Sequence, residues 1–166
     1  MNNKKAITPS AEGIAEAARA ATKSQNSPPV MSWNPPFCGD LDIRIARNGT
    51  WFYLGTPIGR FELVKLFSSI LKVEDGKYFL VTPVEKVGIQ VDDAPFIAVD
   101  FNEIKINGNK ALQFETHVGD QVIANAQNPI RVERDALSDE PAPYIHIRNG
   151  LDALIDRKTF YRLVEI

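Results

Sequence analysis

The sequence predicts an α+β fold: an internally duplicated core of antiparallel sheets with hairpin-helix units. Three observations predict it. Short runs of alternating apolar and polar residues recur between turn residues from Leu41 onward. One apolar series at helical spacing interrupts them, at Leu63, Leu66, Phe67, Ile70 and Leu71. The stretch Ile43-Arg44-Ile45-Ala46-Arg47-Asn48-Gly49 returns one residue shorter as Ile145-His146-Ile147-Arg148-Asn149-Gly150. With 166 residues, 44% of them hydrophobic, the chain can bury the core such a fold needs, as one domain or two small intimate ones.

The elements follow in order. Thr8 or Ser10 caps a helix over about residues 10–23, whose apolar face of Ile14, Ala17, Ala18 and Ala21 is small. Ser24 to Pro36 holds Pro28-Pro29 and Pro35-Pro36 and runs extended. Residues 1–32 thus form an N-terminal arm and linker, with Trp33 and Phe37 tying it to the core. Leu41–Ala46 and Trp51–Tyr53 make a hairpin around Asn48-Gly49, and the helix from Leu63 follows, closed by Asp75-Gly76. Strands are expected at 77–82, 84–91, 96–102, 110–116 and 121–126. A last hairpin, 144–147 with 151–155, leads into a helix from Arg157, where Phe160, Leu163 and Val164 repeat the spacing of Leu63, Leu66 and Phe67. The two like units divide the core at 33–96 and 97–166, and an interface between halves is where a pocket can form.

Composition excludes several functions. Nineteen Lys and Arg against 21 Asp and Glu give a net charge of -2, with no basic field for nucleic acid or an anionic membrane. One cysteine excludes an internal disulfide, and two histidines leave little for a transition metal. Neither a secretory signal pattern nor an 18-residue apolar run is present, so the cytoplasm is the expected location, without a membrane span.

No motif fixes a reaction. Gly55-Thr56-Pro57-Ile58-Gly59 before a helix, with Arg60 in its first turn, could hold an anion or simply shape a turn. Cys38 has no nucleophile motif around it and reads as a small buried hydrophobe; His117 reads as a solvated loop residue, and Asp92-Asp93 as turn chemistry. Pro83 breaks a strand and could aim Lys86 into a cleft, or leave it in a weak surface ion pair. Arg44 and Arg148 occupy equivalent hairpins, and converging arginines need an anion; on outer faces they would instead pair with Asp42 and Asp152.

The runs Trp33-Asn34-Pro35-Pro36-Phe37-Cys38-Gly39-Asp40, Thr56-Pro57-Ile58-Gly59-Arg60, Val81-Thr82-Pro83-Val84-Glu85-Lys86, Asp92-Asp93-Ala94-Pro95-Phe96 and Arg148-Asn149-Gly150-Leu151 resemble the bacterial family known as domain of unknown function 1285. The resemblance covers Trp33 to Ile166. It implies a duplicated α+β core whose C-terminal half is loosely pleckstrin-homology-like. It also implies a ligand-binding protein with a nucleotide-like ligand at the interface of the halves, a signalling role and no attached enzymatic activity.

The sequence is therefore expected to encode a cytoplasmic sensor of an anionic, nucleotide-like molecule, with a signalling protein as partner and no cofactor. Trp33 and Trp51 would wall the ligand, Arg44, Arg60, Lys86 and Arg148 would supply charge, and Asn34 and Thr82 neutral hydrogen bonds. The alternative is a protein-interaction module that docks a peptide on a sheet edge. An enzyme using Cys38 comes third.

Overall fold

The computed structural model describes residues 9–22 and 28–166, so Thr8 and residues 24–27 of the expected linker lie outside the described residues. The described residues divide into two compact units: those up to Arg44 together with Trp51–Gln90, and Ile45–Thr50 together with Val91–Ile166.

In the N-terminal unit, helix α1 (Ala11–Thr22) starts where the Ser10 hydroxyl accepts the Gly13 N–H at 3.0 Å. It buries Ile14 and three alanines and packs on helix α2 (Phe61–Ser69). Strands β1 (Phe37–Ile45), β2 (Trp51–Tyr53), β3 (Thr56–Pro57), β4 (Leu71–Glu74), β5 (Lys77–Val81) and β6 (Lys86–Val91) form one sheet in the order β3-β2-β1-β6-β5-β4. Leu71, Leu80 and Val87 stand in one register row, all buried, and Trp51 stacks on Phe67 at 6.1 Å. Each such large side chain contributes about 1.5–3 kcal/mol by burial.

Here the structure corrects the helical reading. The helix stops at Ser69, and Leu71 begins an edge strand. Ser68 and Ser69 hydroxyls donate to the Lys65 and Leu66 carbonyls, the local bonding that competes with helix propagation. Asp75 and Gly76 both have positive φ, so this pair is the hairpin turn between β4 and β5 rather than a helix stop.

The C-terminal unit holds β7 (Phe96–Ile106), β8 (Asn109–Thr116), β9 (Gln121–Ile123), β10 (Ile130–Arg134), β11 (Pro141–Arg148) and β12 (Leu151–Ile155), ordered β10-β11-β12-β7-β8-β9, and then helix α3 (Arg157–Val164). The fold is α+β with duplicated sheet cores, as expected, but the sheets are mixed: β12 runs parallel to β7. Strand β10 carries Arg131, Glu133 and Arg134 and is exposed, which hid it among turn-like text.

The one-residue difference between the repeated hairpins has a structural meaning. In the second, Asn149 and Gly150 both take positive φ, the two-residue primed turn. In the first, only Gly49 does; Ala46 N–H donates to Thr50 O, and the loop holds three residues, Arg47 to Gly49. The extra residue is accommodated as the longer turn type with glycine in the left-handed position.

Candidate functional site

A groove of about 680 Å³ opens in the C-terminal unit. That volume suits a small organic ligand. Its floor is apolar, with Ile97 and Val99 of β7, Ala142 and Pro143 of β11, Leu154 and Ile155 of β12 and Phe160 of α3. Its rim is polar, with Arg47, Asn48, Asp135, Ser138, Glu140, Asp156, Arg157 and Tyr161.

Helix α3 makes one wall because its ends are tied down. Asp156 caps it by accepting the Thr159 N–H at 2.9 Å. Lys158 donates to the Val99 carbonyl at 2.9 Å, and Arg162 pairs with Asp100 and lies over the Phe101 ring.

His117 sits in the floor and replaces a missing ladder bond. Its N–H donates to Ile97 O at 2.9 Å, while Nδ1 accepts the Ile97 N–H at 3.2 Å. The acceptor role of Nδ1 places the proton of the neutral ring on Nε2, which lies buried against the Gly49 backbone without good hydrogen-bond geometry. Burial lowers the pKa of this histidine, so the expectation of a solvated loop residue is corrected.

Arg47 enters the rim from the hairpin loop. It reaches Asp135 at 3.1 Å and Asp93 at 3.7 Å. Neither carboxylate depends on it. Asp135 accepts the Leu137 and Ser138 N–H groups, which are the main cause of a pKa lowered to about 2, with Arg47 third. Asp93 accepts the Tyr144 hydroxyl at 2.8 Å. Burial, reinforced by Asp93, pushes the Tyr144 phenol to about 12, so it stays a donor. The second arginine, Arg157, makes an exposed pair with Glu140 at 3.4 Å.

The residues expected to bind ligand lie elsewhere. Trp51 and Thr82 are enclosed and offer a ligand no surface: Trp51 is in the core, and the Thr82 hydroxyl accepts the Val84 and Glu85 N–H groups of its own turn. Arg60 is exposed beside Glu62, and Arg44 lies over the Phe52 ring at 4.9 Å. Arg148 stacks over Phe96 and reaches Asp120 at 3.2 Å, while Asp152 pairs with Arg131 instead. Trp33 and Lys86 do come together through two residues the sequence reading passed over. Lys72 donates to the Trp33 carbonyl at 3.3 Å, and Glu74 bridges Lys72 at 3.2 Å and Lys86 at 2.8 Å. Asn34 is exposed next to them. Cys38 is also exposed, its thiol donating to Pro36 O, which corrects the expectation of a buried hydrophobe.

Two family models together span nearly all of the chain: the N-terminal domain of DUF1285, a domain of unknown function, over residues 28–94, and the C-terminal domain of that family over residues 95–166. The chain belongs to the DUF1285 family. A crystal structure of a DUF1285 family protein from Silicibacter pomeroyi DSS-3 is 58% identical with a TM-score of 0.83, covering 92% of this chain and 83% of that one. Another, a DUF1285 family protein from Shewanella baltica OS155, is 33% identical with a TM-score of 0.60, covering 74% of this chain and 90% of that one. No curated protein matches. Among the described residues of this DUF1285 chain, no helix is long and apolar enough to cross a membrane.

Proposed function

We propose that this DUF1285 protein is a cytoplasmic small-molecule sensor in signal transduction whose ligand occupies the C-terminal groove. One observation carries the reading: a groove of ligand size with a largely apolar floor has on its polar rim an arginine, Arg47, whose two carboxylate partners have hydrogen bonds of their own that do not involve it. Exchange of an exposed ion pair for a ligand anion costs little, because such pairs contribute about 0–1 kcal/mol.

The lining also constrains the ligand's class. Three carboxylates, Asp135, Glu140 and Asp156, face two arginines, and they repel a polyphosphate. A planar, largely apolar body with a single anionic group is favoured, a nucleoside monophosphate being the type, with Phe160 and Tyr161 beside the body and Arg47 on the anion. Such a ligand would release the Arg47–Asp135 link between the hairpin loop and the β10–β11 loop, and so alter the surface both loops present.

The test is thermal denaturation with adenosine monophosphate, adenosine and adenosine triphosphate. A ligand at 100 times its dissociation constant adds about 2.7 kcal/mol. At ~2.1 cal/mol/K per residue this raises the midpoint of a chain this long by about 8 °C. The monophosphate should stabilise most, and Arg47→Gln should abolish the gain while leaving the unliganded midpoint nearly unchanged. Equal stabilisation of wild type and Arg47→Gln, or none with any of the three, defeats the proposal.

A further inference from the structure

We propose that Lys72 and Lys86, on one face of the N-terminal sheet, form a separate binding site for a compact oxyanion of the phosphate class. Among the described residues Lys72 is the only charged residue in the buried class, at 8% exposure, and the Lys86 side chain is 18% exposed. Withdrawing an ammonium from water is costly unless it is paired, and here two share a single carboxylate, Glu74. Two ammoniums thus have one ion-paired carboxylate between them. Each ammonium has three N–H donors. Lys72 directs one to Trp33 O and one to Glu74, and Lys86 directs one to Glu74, so donors remain on both.

The surroundings raise the value of that charge. Lys72 and Phe79 are register partners, as are Phe79 and Gly88, so the lysines flank an aromatic face, with Lys86 Nζ 4.8 Å from the Phe79 ring centre. Phe37, 55% exposed, meets Phe79 edge-on. Gly88, without a side chain, leaves room for a further carboxylate, Asp40, a second negative group on the strand face that carries Lys86. Hydrogen bonds from Lys86 and then Lys72 lower the pKa of Glu74, and it stays ionised as the internal competitor of any incoming anion.

That competition supplies the test. Inorganic phosphate is titrated into the full chain at constant ionic strength, and the Trp33 indole resonance is followed by ¹H–¹⁵N NMR. Wild type should respond saturably. Lys86→Met, which keeps a stem over Phe79, should weaken binding about tenfold, and Glu74→Gln, which removes the competitor, should tighten it about tenfold. A purely structural cluster predicts the opposite for Glu74→Gln: a less stable protein with no gain in binding. Arg47→Gln leaves the response unchanged, which separates this site from the groove. A response to adenosine monophosphate alone assigns the phosphate to a larger ligand, and a response to the inorganic ion assigns it to free phosphate; either supports the site. No response to either probe in wild type and Glu74→Gln, or an undiminished one in Lys86→Met, overturns it.

Discussion

Replacing Gly49 by alanine tests whether the hairpin loop is built against the groove floor. Gly49 has φ of +90°, and an added Cβ would stand 2.7 Å from Ile97 Cγ1 and 3.3 Å from His117 Nε2. Two costs arise. The left-handed backbone costs an L-residue about 1–2 kcal/mol, and forcing a methyl into a packed site costs about 1–3 kcal/mol. Gly108 separates them: it lies in the same unit with φ of +81° and nothing within 4 Å of an added Cβ, so Gly108→Ala carries the backbone cost alone. Urea denaturation followed by circular dichroism should give a loss of about 1–2 kcal/mol for Gly108→Ala and about 2–5 kcal/mol for Gly49→Ala. Equal losses would refute the packing of Gly49 on Ile97 and His117.

Two further predictions concern the same unit. Burial lowers the pKa of His117 in the fold, so as the pH falls below about 6.5 the unfolded chain takes up a proton that the native chain resists. Stability is full above that pH and is lost as pH falls toward the native pKa; His117→Gln should remove the slope that sets in below about pH 6.5, as read by denaturation at stepped pH. Asp156→Ala deletes the cap of α3 and should cost about 1 kcal/mol, about 3 °C in a thermal melt, with faster amide exchange in residues 157–161.

The elements with strong local chemistry were legible in the sequence. Asn48-Gly49 and Asn149-Gly150 announce their hairpins, and Phe160 and Leu163 announce α3. Strand β4 was hidden because Ile70 and Leu71 continue the helical period of α2, and only the serines at 68 and 69 and the turn at Asp75-Gly76 mark the change. The groove was not legible, for a different reason. Its walls come from separate stretches around Arg47, Ile97, His117, Asp135, Ala142 and Phe160, joined only by sheet order and by the parallel β7–β12 pairing. Arg47 is the extra residue of the longer hairpin, and that one-residue asymmetry was the available signal for it. Lys72 could have been noticed as a lysine between Leu71 and Val73, a position whose strand face is covered only if something such as Trp33 lies over it.

The central claim is that the C-terminal groove is the ligand site, and ¹H–¹⁵N NMR mapping with adenosine monophosphate tests it most directly. The account predicts saturable shifts gathered at Ile97, His117, Leu154 and Tyr161 that vanish in Arg47→Gln. Shifts confined to residues of the N-terminal sheet, or none at all, would contradict it.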